Sequence, residues 1–297
     1  IGANSVQPVV VNNSAIFCAA RGGHVREMGF NFQAQGFVTG DLSLRAPHLF
    51  DDYTISDMAY QKAPVPVLWF TSSSGKLLGL TYVPEEQVGG WHQHDTDGIF
   101  ESVCVVPGGQ EDRVWVVVRR TIDNETVRYV ERMAPQYLGD LEDAVHVDSA
   151  KVYTGAGITT MTGLSHLEGE TVSILADGKV LRRQVVTNGQ VPLVNQSTGA
   201  TVTATTVIAG LPIEAELQTT PVAMQIDGLA QGRVKAVNKA WLKVHRSVSL
   251  KAGPSGALSV PAYPYDTAGA LKTEEIDVTL MPAWQKTGQV TVLNLSL

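Results

Sequence analysis

The first 135 residues repeat one pattern of apolar and polar positions three times. Each repeat begins with a short apolar segment, continues through a polar turn, and ends with a segment in which apolar and polar residues alternate. This order is typical of a β-hairpin, because successive side chains of a strand point to opposite faces of a sheet. We therefore predict hairpins over residues 16–32, 67–83 and 114–132.

The spacing of these hairpins indicates a repeat architecture. Ile16, Leu68 and Val114 begin or lie within the three apolar segments and are separated by 52 and 46 residues. A period of about 40–50 residues with about four strands per repeat is typical of a β-propeller, whose blades bury their faces by stacking. Two to three incomplete, propeller-like blades are therefore predicted over residues 1–138. The alternative is a run of unrelated hairpins in a β-sandwich.

The rest of the chain is also predicted to be β-rich. Residues 131–141 have the composition of a linker, and residues 139–210 are predicted to hold a strand and a small inserted β-barrel or sandwich module at about 152–207. Asp-Gly at 177–178 and Asn-Gly at 188–189 are strong hairpin-turn signals in that module. Residues 211–297 are predicted to form a C-terminal β-sheet or sandwich domain, so the fold class is mainly β.

Composition narrows the classes of protein that need to be considered. The 297 residues fit two or three domains, and 44% of them are hydrophobic, which excludes a mainly disordered chain. The net charge of −7 argues against a dedicated binder of nucleic acid or anionic membranes. No apolar stretch is long enough to predict a membrane span. The first residue is not Met and the last segment is an alternating strand, so we expect a fragment of a longer polypeptide.

Candidate chemistry is sparse. His92 and His94, at positions i and i+2 on a strand or loop, face the same way, and Asp95 could add an oxygen ligand to a metal. A third or fourth ligand of defined geometry is not evident nearby, so these three residues are weak metal candidates. The alternative is a polar loop between strands. No metal or other cofactor is predicted.

Other short motifs do not match the full pattern of a known binding site. The segment 72–76 ends like a phosphate-binding loop, but Phe70 replaces the first glycine and Leu77 replaces the Ser or Thr. Cys18 and Cys104 lie in apolar runs and are predicted to be buried free thiols. The six Lys and Arg residues from Arg233 to Lys251 indicate a solvated strand face, a subunit contact or a phosphate-binding strand. No catalytic or cofactor-binding residue is predicted, and we expect a protein that is not an enzyme.

Several segments together resemble a large phage tail protein. The chain is similar to the tail tubular protein B, or nozzle, family of short-tailed phages and prophages. The segments that carry the resemblance are Asp57–Gln61, Leu68–Trp69, Gly75–Tyr82, Gly90–His94, Phe100–Val103, Asp112–Trp115, Arg128–Arg132, Gly163–Gly169 and Ala176–Gly178. The module at about 152–207 also resembles the β-domain labelled as the first catalytic-cysteine half-domain of ubiquitin-activating enzymes. It contains no cysteine, so only the β-module shape is implied.

The resemblance implies a structural role in a virion tail. Members of the family assemble as hexameric rings and form the distal channel through which DNA leaves, with a β-propeller on the outer wall. The expected partners are further copies of the chain, the head–tail adaptor, tail fibre proteins and double-stranded DNA in transit. The protein would be made in the cytoplasm of the bacterial host. It implies no catalytic residue.

Two other functions remain open on the sequence. A receptor-binding or glycan-binding tail module predicts an exposed aromatic cluster, for example Trp91 with Tyr82 or Trp284. A glycan depolymerase predicts two buried carboxylates that face one pocket. Three further tryptophans lie inside predicted strands and are expected to be buried: Trp69, Trp115 and Trp241.

Overall fold

The computed structural model describes residues 2–86, 88–136, 140–196, 198–222, 232–247, 250–254, 272–281 and 284–295. These residues form mainly antiparallel β-structure, as predicted, in several sheets, and none of the described sheets closes into a barrel. The chain divides into two compact units, Ile1–Tyr137 and Leu138–Leu297. Residues 137–139 of the predicted linker and residues 255–271 of the predicted C-terminal domain lie outside the described residues.

The first unit contains three sheets, each built from consecutive strands. The first sheet has four strands: β1 (Val9–Val11), β2 (Ser14–Cys18), β3 (Val25–Asn31) and β4 (Gly36–Asp41). The second sheet also has four: β5 (Ile55–Gln61), β6 (Val67–Ser72), β7 (Leu77–Val83) and β8 (Val88–His94). The third sheet has three: β9 (Ile99–Val106), β10 (Arg113–Ile122) and β11 (Glu125–Arg132). The 3₁₀ turns of this unit are Pro47–Leu49 and Pro84–Glu86.

The second sheet is buried on both faces. On strand β6, Leu68 and Phe70 pack with the core of the first sheet, whereas Val67 and Trp69 pack with the core of the third. Successive strand residues point to opposite faces, so a strand covered on both sides needs apolar side chains at every position. This double coverage explains the unbroken apolar segment 67–70, and it shows that the three sheets form a stack.

Hydrogen bonds between the sheets fix the stack. The Tyr82 hydroxyl of the second sheet donates to the Glu27 carboxylate of the first. On the other side, the Asp57 carboxylate accepts from the Ser102 hydroxyl at 2.6 Å and from the Val103 N–H at 3.1 Å, which joins β5 to β9. Charge-assisted hydrogen bonds of this kind are stronger than bonds between neutral groups.

The second unit has one larger sheet and several small ones. Its first group of strands is β12 (Val147–Ile158), β13 (Thr160–Thr162), β14 (Thr171–Ala176), β15 (Lys179–Val180), β16 (Gln184–Val185), β17 (Gln190–Pro192) and β18 (Ala204–Pro212). Strand β18 pairs with both β12 and β14, while β13 pairs with β17. The 3₁₀ turns are Leu141–Asp143 and Ser165–Leu167.

The predicted central module has a core of its own. Fourteen buried residues between Met161 and Leu211 form one apolar cluster. The predicted turns are confirmed, since Asp177 and Asn188 have positive φ angles of 46° and 55° and are each followed by a glycine with positive φ. The described strands around this core form an open five-stranded sheet and a two-stranded ribbon. They do not form a closed barrel, which was one of the two predicted shapes of the module.

The C-terminal part pairs strands that are distant in sequence. Its strands are β19 (Glu214–Gln218), β20 (Lys239–Ser247), β21 (Lys251–Gly253), β22 (Lys272–Thr279) and β23 (Thr291–Leu295). β23 lies between β19 and β21, and β20 pairs with β22. The boundary predicted at residue 210 falls inside strand β18, and the division of this unit into two domains stays a prediction.

Candidate functional site

The proposed aromatic cluster around Trp91 is part of the core. The Trp91 ring lies 4.8 Å from the Phe50 ring and 5.3 Å from the Phe70 ring, measured between centroids, and its indole N–H donates to the Leu42 carbonyl at 2.8 Å. Tyr82 is held by Glu27. The expectation of an exposed pair formed by Trp91 and Tyr82 is therefore wrong, because both side chains join the first and second sheets.

The burial of the other tryptophans differs in part from the prediction. Trp69 is buried as predicted, and its indole N–H donates to the Gln61 side-chain carbonyl at 3.0 Å. Trp115 is half-buried, with the Arg132 guanidinium 5.9 Å from its ring centroid. Trp241, predicted to be buried, is 64% exposed, and Trp284 is 75% exposed. Strand β20 belongs to a two-stranded ribbon, in which only the face that carries Leu242 and Val244 is covered.

Two lysines of strand β20 stand opposite carboxylates. The Lys239 ammonium lies 2.5 Å from an Asp277 carboxylate oxygen and 5.3 Å from the Trp241 ring centroid. Lys243 pairs in register with Glu275 of strand β22. The outer face of the ribbon therefore carries both signs of charge around one exposed indole, which does not favour it as a phosphate-binding surface. Residues 248 and 249 of the predicted basic stretch lie outside the described residues.

The two histidines singled out by the sequence lie on a strand. His92 and His94 belong to β8, so the interpretation as a loop is wrong. His92 Nδ1 and His94 Nε2 are 2.9 Å apart, and both rings contact the Trp69 ring, with centroid distances of 5.5 and 5.3 Å. Desolvation lowers the pKa of both imidazoles, and the neighbouring His92 lowers that of His94 further.

Asp95 does not complete a three-ligand metal site with these histidines. Within the described parts of the chain, no group of three or more His, Cys, Asp or Glu side chains is placed to hold a metal ion. Asp95 follows β8 directly and is exposed. The structure thus brings His92 and His94 together as a pair.

The two cysteines differ in environment. Cys18 is buried in the core between the first and second sheets, and this burial raises the pKa of its thiol to about 12. Cys104, predicted to be buried, is exposed on strand β9. Val103 and Val105 on that strand turn towards the core of the third sheet, so Cys104 between them points away from it.

A cluster around His24 was not predicted from the sequence. His24 Nδ1 lies 2.8 Å from the Ser43 hydroxyl, which is buried and itself lies 2.7 Å from an Asp41 carboxylate oxygen. His24 Nε2 is 3.6 Å from Asp51. The Ser43 hydroxyl is enclosed between its two partners, so the cluster fixes the segment after β4 rather than presenting a nucleophile. Its members are scattered over residues 24–51 without a spacing that a motif could reveal.

The first sheet leaves an apolar surface uncovered. Phe30 and Phe37 are directly paired across β3 and β4, and they are 56% and 71% exposed. Phe32, in the turn between these strands, is 88% exposed, and its ring is 5.9 Å from that of Phe30. Strand alternation places Phe30 and Phe37 on the face opposite to Val25, which packs towards the second sheet. We call Phe30, Phe32 and Phe37 the aromatic face.

A shallow cavity lies along strands β2, β3 and β4 of the first sheet. It has a volume of about 220 Å³ and is lined by Ser14, Glu27, Gly29, Phe30, Asn31, Val38 and Gly40. Glu27 is its one carboxylate, and Tyr82 already donates to it. This cavity therefore lacks the two facing carboxylates that the depolymerase hypothesis predicts.

Comparison with known proteins gives no assignment: neither a family model nor a curated protein matches the sequence. Among the described residues, no helix is both long and apolar enough to cross a membrane.

Proposed function

We propose that the chain is a structural subunit of a phage or prophage tail, of the nozzle kind, which assembles with copies of itself into a ring around the distal DNA-exit channel. Its partners would be the head–tail adaptor, tail fibre proteins and the DNA in transit, and its location the virion tail. The resemblance of the segments between Asp57 and Gly178 to the tail tubular protein B family supports this function.

The observation that carries the proposal is the stack of three consecutive sheets. In each sheet the strands follow one another in chain order, and the first strands of neighbouring sheets pack together, β1 against β5 and β5 against β9. Convergence of the first strands is what blades arranged around an axis require. The proposal therefore includes the finer fold assignment that the three sheets are successive blades of a propeller.

The aromatic face supports assembly. The equivalent face of the second sheet is covered by the first sheet, and that of the third sheet is covered by the second. In a propeller each blade is covered in the same manner. The aromatic face would then be the surface on which a further β-sheet packs in the assembled tail, and its exposed phenylalanines would become buried.

The charge of the chain fits a channel through which DNA moves. The sequence has 29 acidic and 22 basic residues. A surface rich in lysine and arginine would hold the phosphates by many contacts, each of which releases counterions and strengthens binding. A channel wall with an acidic excess would let DNA pass without being retained.

Electron microscopy of the chain, mixed with the head–tail adaptor, tests the function. We expect six-fold rings with an axial channel, with the three stacked sheets in the ring wall. Monomers or trimers that do not bind the adaptor would contradict the proposal.

A second candidate function rests on Trp241. The Trp241 indole is exposed, the Lys239 ammonium lies over its ring, and the Asp277 carboxylate is paired with that ammonium. An exposed aromatic ring beside hydrogen-bonding groups is what sugar-binding sites use. If the protein is a glycan-binding tail module, a glycan array should show binding that Trp241→Ala removes and that Trp115→Ala, at a half-buried tryptophan of the other unit, leaves in place.

A further inference from the structure

We propose that His92 and His94 form a chelating site for one divalent transition-metal ion that prefers imidazole, such as Ni²⁺, Cu²⁺ or Zn²⁺, with water at the remaining positions. The site goes beyond the tail function and does not depend on it. Imidazole nitrogen suits these ions, whereas Mg²⁺ and Ca²⁺ prefer oxygen ligands.

The separation of the two nitrogens is that of neighbouring ligands on one metal ion. Two metal–nitrogen bonds of about 2.0–2.1 Å at an angle between 90° and the tetrahedral value place the nitrogens about 2.8–3.4 Å apart. His92 Nδ1 and His94 Nε2 are 2.9 Å apart. For an ion to bind, the ring that donates the hydrogen bond takes the other tautomer, with its proton on the nitrogen that faces away from the pair. Both facing nitrogens then offer a lone pair, and a small rotation of each ring directs them at the ion.

The protein around the pair holds the rings in position. Both imidazoles contact the Trp69 ring, which is buried and fixed by its hydrogen bond to Gln61. His92 lies over Gly79 of strand β7, where an added Cβ would come within 2.1 Å of a ring carbon of His92. A pair that is ordered before binding loses less conformational entropy when the ion arrives.

The site is also open to solvent. His94 is exposed and His92 is half-buried, so the pair lies at the surface of the second sheet rather than inside a core. Asp95, also exposed, follows directly and adds negative charge beside the site. Two protein ligands and several waters make a weaker site than the four-ligand cages of structural zinc, so binding should be reversible.

Calorimetric titration of the full chain with ZnCl₂ tests the site, with the protein purified without a polyhistidine tag. We expect one ion per chain, and an affinity that falls by about tenfold or more in His94→Gln because half of the protein ligands are lost. His48→Gln, at an exposed histidine of the same unit, is the matched control and should bind as the parent chain does. Equal affinity in the parent chain and in His94→Gln would overturn the proposal, as would the absence of saturable binding by the parent chain.

Electron paramagnetic resonance of the Cu²⁺ adduct gives an answer that does not depend on a variant folding well. The parent chain should show hyperfine coupling to two imidazole nitrogens. A spectrum with no more than one coordinated nitrogen, or one identical to that of aqueous Cu²⁺, would overturn the proposal.

Discussion

Asp41 is a carboxylate whose ionised form the fold favours. Burial acts to raise its pKa, but hydrogen bonds from the hydroxyl and the N–H of Ser43, together with the charges of His24 and Arg26, lower it below the usual 3.8. The folded chain therefore binds a proton at Asp41 less readily than the unfolded chain does. The resulting stabilisation is present above the unfolded pKa and is lost as the pH falls through the folded value.

The lowered pKa of Asp41 gives a prediction for the variant Asp41→Asn. The variant should be less stable than the parent chain at pH 6, because the ionised partner of Ser43 and Arg26 is gone. The difference should shrink as the pH falls from 4 towards the folded pKa, since the parent chain then protonates Asp41 as well. Urea unfolding at pH 6, 4 and 3 measures this difference. A difference that is constant over this range would contradict the assigned role.

At the scale of elements, Asp57 is one of the polar links between the second and third sheets. Its carboxylate accepts from Ser102 and Val103 of β9, where the two sheets meet. Asp57→Ala leaves these donors without their partner, which typically costs about 1–3 kcal/mol when the donors are buried. We expect faster amide hydrogen exchange in β9 and little change in β2.

The control for this prediction is Asp52→Ala, which removes an exposed carboxylate from the same unit. It should change the free energy of unfolding by no more than about 0.5 kcal/mol, as surface substitutions usually do. If exchange in β2 and β9 accelerates equally in Asp57→Ala, the carboxylate stabilises the unit as a whole rather than this one contact.

The sequence predicted the strands in which the pattern of apolar and polar side chains indicates which positions are buried. The apolar segment of β6 and the alternation of β11 were sufficient to find the hairpins. Strands β4 and β8 were missed, because each contains two glycines, which have low strand propensity and no side chain to show a pattern. Their pairing is set by the neighbouring strands β3 and β7 instead.

The candidate sites depended on contacts that a linear pattern does not contain. The spacing of His92 and His94 was visible, but their shared contact with Trp69 comes from pairing between strands of the second sheet. The exposure of Trp241 was not predictable from its apolar neighbours, because a strand in a two-stranded ribbon has one open face. The cluster of His24, Asp41 and Ser43 likewise needs the folded chain.

At the scale of the whole molecule, substitutions in the aromatic face test whether it is the assembly surface that we propose. The double substitution Phe30→Ser with Phe37→Ser removes apolar side chains that are already exposed in the single chain. We therefore expect a change in the free energy of unfolding of no more than about 0.5 kcal/mol per site. On the proposed function, ring formation by the chain, measured by light scattering and electron microscopy, should be lost.

The matched control for the aromatic face is Leu44→Ser. Leu44 is an exposed apolar residue of the turn after β4 and belongs to no sheet face, so its substitution should leave ring formation unchanged. Rings that persist in the double phenylalanine variant would show that assembly uses another surface.

The position of β23 in the middle of its sheet has a consequence for the order in which the protein folds during translation. Each sheet of the first unit is made from one continuous stretch of chain, so it can form as soon as that stretch leaves the ribosome. The partners β19 and β23 are far apart in sequence, and Gln218 and Thr291, paired across them, are separated by 73 residues. Both β19 and β21 must wait for β23, so their unpaired edges are exposed to other nascent chains for longer than any strand of the first unit.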